Sequence, residues 1–154
     1  MAERPYPGAG ETACNCTALR KAARRLTRFY DACLAEVDLR GTQYAILLHL
    51  SRRGPTTIGA LADVMVMDRT TVGHAIKPLE RDRLVSIDVD AADRRSRLVG
   101  LTGPGARKVE EGRKAWNKAQ RIFETRFGEG AARDMRKTMA DVAGLELDHT
   151  VDHH

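Results

Sequence analysis

Apolar residues recur early in the chain at alternating steps of three and four: Cys16, Leu19, Ala23, Leu26, Tyr30, Cys33 and Val37. That rhythm predicts a helix with one apolar seam. Arg20, Lys21, Arg24, Arg25 and Arg28 fall on its other side, either as a solvated face or as a row of phosphate contacts. After Gly41 the run TQYAILLHLSRR predicts a second helix that packs Tyr44, Leu47 and Leu48 and stops at Gly54 and Pro55. The same stepping returns at Val109, Gly112, Trp116, Ala119 and Phe123, in a helix expected to open after Gly103, Pro104 and Gly105. Gly128 and Gly130 break it, and a last helix carries Ala132, Met135, Met139, Val142 and Leu145 along one side. Long seams at both ends of a chain this short have little to cover them. They are expected to pair with a second copy about a two-fold axis; the alternative is that they pack on each other within one chain.

Between those ends lies TTIGALADVMVMDRTTVGHAIKPLERDRL, two short helical patterns around a tight break. Ile58, Leu61 and Ala62 mark the first, with Thr56 or Thr57 as its cap, and Met65 to Met67 make the turn. Asp68 is placed to cap the second by accepting from the amide of Thr70 or Thr71. Val72, Ile76 and Leu79 fall on one face of that helix, and Thr70, His74, Lys77 and Arg81 on the other. Apart from Glu80 and Asp82 near its end the helix carries no acids, so the outer face suits the major groove of DNA, a solvated face being the alternative. Pro78 removes the bond to the carbonyl of His74 and is expected to bend the helix, with the contacting residues mostly before it. Val85, Ile87 and Val89 then alternate with Ser86, Asp88 and Asp90, the period of a half-buried strand. A returning strand, Arg97 to Thr102, closes a hairpin around the charged tip DAADRRSR. Two helices joined by a tight turn and followed by a basic hairpin describe a winged helix-turn-helix, in a fold that is mainly α with a small β-hairpin wing.

Composition narrows the function. At 154 residues the expectation is a flexible arm over 1–12, with Pro5, Pro7, Gly8 and Gly10, and a single domain over 13–154. Within it 41–103 form the DNA-binding lobe, and 13–40 and 104–148 the helical dimerisation region. The formal net charge of +5 and a pI near 9.4 favour an anionic partner. Few aromatics, scattered, argue against a stacking platform for single strands. The run AILLHL is far shorter than the roughly 18 apolar residues a membrane helix needs, so a soluble, cytoplasmic protein with no membrane partner is expected. Three cysteines, an odd number, point to reduced thiols rather than a disulfide framework. No glycine loop cradles phosphate, no nucleophile elbow is present, and no histidine pair has metal-ligand spacing on a helix, so neither enzyme nor cofactor is expected. Cys14 with Cys16, and the tail DHTVDHH with His149, His153 and His154, lack the two-pair spacing of structural zinc, and no metal is expected. A helical protein-interaction dimer without DNA binding is the alternative function; it leaves the basic middle helix and wing without a reason.

The run LADVMVMDRTTVGHAIKPLERDRLV followed by DAADRRSRLVGLTGPG resembles the core of the MarR family of bacterial and archaeal transcription regulators, a likeness that extends from about Cys16 to Leu147. Its most specific part is ADRRSRLVGLT, which is similar to the family's wing signature. The resemblance implies a homodimer on a palindromic operator in double-stranded DNA, with recognition helices in successive major grooves and wing arginines in the flanking minor groove. It implies a repressor released by a small phenolic ligand or by thiol oxidation with peroxide. It puts Thr70, Thr71, His74 and Lys77 at the major groove, Arg94 at the wing tip, and Arg95 and Arg97 on the DNA backbone, with Arg69 and Arg81 completing the DNA-binding set. Ala92 stands where the wing signature often has an acid, leaving Asp93 or Asp90 to hold Arg94. His74 stands where relatives often carry arginine, which weakens a direct reading of guanine. The spacing of Cys16 to Tyr30 and Gln43 is similar to that of the reactive cysteine in the organic-hydroperoxide-sensing branch, although Arg20 stands near that branch's second tyrosine. A helix N-terminus favours the thiolate there. Cys14 is a candidate resolving thiol despite the strain of a bridge across one residue, and Cys33 is read as core. The other candidate effector is a small aromatic ligand between the dimer helices and the DNA-binding lobes.

Overall fold

The computed structural model describes residues 14–147; the N-terminal arm and the histidine-bearing tail lie outside the described residues. The elements in chain order are α1 (Asn15–Leu34), a 3-10 turn (Ala35–Val37), α2 (Gly41–Arg53), β1 (Thr56–Thr57), α3 (Ile58–Met65), α4 (Arg69–Arg81), β2 (Val85–Val89), β3 (Arg97–Leu101), α5 (Gly103–Phe127) and α6 (Glu129–Ala143). They divide into one compact unit up to Asn117 and another from Lys118.

The core of the first unit collects fully buried side chains from every helix and from the sheet: Leu34, Ile46, Leu47, Leu50, Leu61, Val72, Ile76, Leu79, Val99 and Val109. Polar side chains fix how the elements enter it. The Asp31 carboxylate, near the end of α1, accepts the first amide of α2, Gly41, at 2.7 Å. The Thr57 hydroxyl caps α3 by accepting the amide of Ala60 at 3.1 Å. At the far end of α3 the amide of Met67 reaches the carbonyl of Ala62 and that of Val66 the carbonyl of Asp63. This closure needs a left-handed residue, and Val66 takes that conformation at φ 52°.

The sheet has three antiparallel strands in the order β1-β3-β2. Val85 pairs Leu101 and Val89 pairs Arg97 across the hairpin, while Thr56 and Thr57 pair Val99 and Leu98 on the other edge of β3. Two strands were expected; β1 is only two residues long, too short for any alternation to show. Val85 is buried and Ile87 half-buried, but Val89 is 48% exposed, because the hairpin has left the core by then. The returning strand ends at Leu101, one residue earlier than the pattern suggested, and α5 begins at Gly103 instead of after Gly105. The reason is Thr102. Its hydroxyl accepts the amide of Gly105 at 3.0 Å, as a helix cap does, and offers its proton to the carbonyls of Arg83 (2.7 Å) and Leu84 (3.0 Å). Pro104 is harmless in a first turn, where its missing N–H would have no partner within the helix.

The seam of α1 stays open. Leu34 is the residue of α1 that is fully buried, Leu19, Leu26, Tyr30 and Cys33 are half-buried, and Cys16 and Ala23 are exposed. In the second unit Ala132 is buried, whereas Met139, Val142 and Leu145 face outward, Leu145 at 59% exposure. The end of α5 is tied to α6 by Glu124, which accepts from Arg136 at 2.9 Å and from Gln120 at 2.8 Å.

Gly112 lets α5 lie against α2. A Cβ there would stand 2.5 Å from Cδ2 of Tyr44, a buried ring. Gly112→Ala is therefore expected to destabilise the fold by about 1–3 kcal/mol, the cost of overpacking a tight core. A urea midpoint equal to the wild type's would show that the ring moves freely.

Candidate nucleic-acid interface

The side chains that could meet DNA are carried on two elements, α4 and the wing. Asp68 caps α4: its Oδ1 accepts the amide of Thr71 at 2.8 Å and its Oδ2 the Thr71 hydroxyl at 2.6 Å. The Thr71 hydroxyl, and next its amide, hold the Asp68 carboxyl below its ordinary pKa. Val72, Ile76 and Leu79 are buried, so one edge of α4 is fixed in the core. Thr70, His74, Lys77 and Arg81 are exposed on the remainder, as the helical spacing implied, and Arg69 and Thr71 are exposed beside them. The helix runs through Pro78 to Arg81, and the amide of Asp82 closes on the Pro78 carbonyl at 3.0 Å. Among the basic residues of this face Arg81 has an acidic partner: its Nε lies 3.0 Å from Asp82, which raises its pKa.

The wing tip is ordered by its acids. Asp90 accepts the amide of Ala92 at 2.9 Å, and Asp93 accepts the amide of Arg95 at 3.0 Å and the Ser96 hydroxyl at 3.1 Å. The expectation that Asp93 or Asp90 would hold Arg94 is not met, because both carboxylates are engaged by the loop itself. Among the described residues Arg94, Arg95 and Arg97 are exposed and form no ion pair. The backbone of the tip is shaped while its guanidinium groups stay available.

The effector candidates lie elsewhere in the first unit. Cys14 is the N-cap of α1 and its Sγ accepts the amide of Thr17 at 3.4 Å; hydrogen bonds from the Thr17 hydroxyl and amide lower its thiol pKa. Cys16 sits one position inside the helix start and is exposed, Cys33 is half-buried, and all three thiols are free. Tyr30 packs edge-on against Phe29 and lines a cleft of about 460 Å³ together with Leu26, Leu34, Tyr44, Leu48 and Trp116. A neighbouring recess shares Tyr44, Leu48 and Trp116 and adds Arg52 and Arg113. Burial pushes the Tyr44 phenol up in pKa, against the pull of Arg113 and Arg52. Trp116, Arg52 and Arg113 were not among the site residues expected from sequence. Trp116 fits the seam of α5, and only its position between the small residues Gly112 and Ala119 hinted that it walls an opening.

A helix-turn-helix whose second helix shows a face of hydroxyl and cationic groups, followed by a basic hairpin, defines a winged helix-turn-helix protein. Residues 37–96 match the MarR family. The HTH-type transcriptional repressor NicR of Pseudomonas putida is 31% identical over 88 residues, 57% of this chain and 56% of that one. The organic hydroperoxide resistance transcriptional regulator of Bacillus subtilis is 28% identical over 91 residues, 59% of this chain and 62% of that one. The matched segments thus span less than two thirds of the length of either relative. The structure of the M. tuberculosis transcriptional regulator MosR in complex with DNA is 28% identical, with a TM-score of 0.70, over 86% of this chain and 99% of that one. Residues 37–96 are thus similar to the MarR family, and the chain shares the winged-helix fold of the MosR regulator. No described helix is long and apolar enough to cross a membrane.

The cap on α4 carries a pH signature. A carboxyl whose folded pKa is depressed contributes stability above its unfolded pKa and loses it as pH falls through the folded value. Relative to wild type, Asp68→Ala is expected to melt at a lower temperature at neutral pH, and the gap should narrow as the medium is acidified through the carboxylate range. Melting curves with a gap independent of pH would mean that Asp68 does not titrate as the cap.

Proposed function

We propose that the protein is a homodimeric transcriptional repressor that binds a palindromic operator in double-stranded DNA and is released by an effector. The observation that carries this reading is the exposed face of α4, where Thr70, His74 and Lys77 follow one another at helical spacing opposite a buried apolar edge. His74 and Lys77 reach base edges as single donors, a weaker reading of guanine than a bidentate arginine gives. Thr71 directs its proton to Asp68, so it meets the DNA through its methyl group, suited to thymine. Arg94 enters the flanking minor groove, and Arg95 and Arg97 neutralise phosphates. A second copy covers the open seam of α1 and the outward face of α6, and sets two recognition helices about one DNA turn apart. The DNA complex of MosR and the repressor function of NicR support the reading.

The effector we assign to the cleft beside Trp116 is a small aromatic molecule, which the volume and the Leu26, Tyr30 and Leu48 walls accommodate. A second reading, thiol oxidation, is favoured by one observation: the cap bond from Thr17 falls on Cys14, so the helix terminus that was expected to activate Cys16 acts most directly on its neighbour. Similarity to the hydroperoxide regulator supports it.

Titration onto genomic fragments tests the central claim. If a dimer neutralises about 6–10 phosphates, affinity falls by roughly a thousandfold or more between 50 and 200 mM salt. Arg94→Ala is expected to bind more weakly with an unchanged melting temperature. A flat salt response would overturn the proposal.

The chain has one tryptophan, so its fluorescence reports the cleft. Small aromatic acids that release DNA should quench it saturably. Release by peroxide that is lost in Cys14→Ser, or in Cys16→Ser, with no quenching by aromatic acids, would assign the switch to that thiol instead.

A further inference from the structure

Arg69 opens α4, yet its side chain folds back over α3. A Cβ built on Gly59 would lie 3.1 Å from Nη2 of Arg69 and 3.3 Å from both its Cζ and Nε. Three guanidinium atoms at nearly one distance mean that the flat face of the group covers the space where a side chain on Gly59 would begin. Those are also the three nearest atoms that a side chain at this position would meet. Glycine weakens a helix, and Gly59 sits inside α3 with no left-handed backbone to demand it. What its missing side chain provides is the seat for Arg69. Arg69 is exposed and, among the described residues, has neither a hydrogen bond nor an ion pair from its side chain. Its donors are therefore open at the junction of the two helices, with Asp68 occupied by Thr71.

We propose that Gly59 is a positioning residue: by lacking a side chain it holds the Arg69 guanidinium against α3, aimed at a backbone phosphate of the DNA at the start of the recognition helix. The inference rests on the DNA-binding reading above. A phosphate contact fixes register without reading sequence, so Gly59 should govern affinity and salt dependence equally on specific and unrelated DNA. Its effect must pass through Arg69. A methyl at 59 lies closer than an ordinary contact, so the guanidinium is displaced from this seat while the helix itself gains from the exchange of glycine for alanine.

The test is a double-mutant cycle in DNA binding across a salt series, with thermal melting of each protein. Arg69→Ala, present in both protomers of the dimer, should reduce the slope of log affinity against log salt by about two. Gly59→Ala should weaken binding by roughly three- to tenfold at moderate salt, lower the slope toward that of Arg69→Ala, and melt no lower than wild type. In the Arg69→Ala background, Gly59→Ala should cost nothing further. Wild-type binding that is strong and salt-dependent, with Gly59→Ala indistinguishable from it, would overturn this inference alone. So would an equal loss from Gly59→Ala in both backgrounds, which would show that Arg69 is not the route. A wild type that fails to bind DNA would overturn the parent reading, and this one with it.

Discussion

The burial of one edge of α4 is the constraint on which the rest turns. Val72, Ile76 and Leu79 occupy the centre of the core alongside Leu34, Leu47 and Leu61, so the helix has one rotational setting. Rotating it by even one position would expose an isoleucine or leucine and press His74 or Lys77 into apolar surroundings, at a cost of several kcal/mol. The outward display of Thr70, His74 and Lys77 is thus a by-product of packing, not of any contact those residues make. The sheet serves the same end, since Val85 and Val99 press on this core and carry the hairpin away from it.

A second regularity concerns the acids. Asp31, Asp68, Asp90 and Asp93 all accept backbone amides at turns or helix starts rather than pairing with arginines. Each ties down a bend, and each leaves nearby basic side chains uncompensated. In a chain with a formal net charge of +5, the geometry of the turns therefore also shapes where positive potential emerges.

How much of this was legible in the sequence follows from how local each determinant is. The two faces of α4 and its Asp68 cap lie within a short contiguous run, and helical spacing exposes them directly. Thr102 was misread as strand because threonine suits a strand, and only the neighbouring carbonyls of Arg83 and Leu84 reveal it as a cap. β1 has too few residues to show a period, and its partner β3 lies far along the chain. The cleft was illegible for the same reason: its walls come from α1, α2, α3 and α5, and no segment of sequence contains them together. The approach of Arg69 to Gly59 depends on the angle between α3 and α4, which local pattern leaves open.

Thr102 gives the domain a mechanical property. One hydroxyl joins the start of α5 to the turn between α4 and β2, so that helix and the base of the wing share a pivot. Trp116 lies roughly 20 Å along α5 from that point at the usual helical rise. The cleft and the base of the wing are thus joined through a single helix and a single threonine hydroxyl.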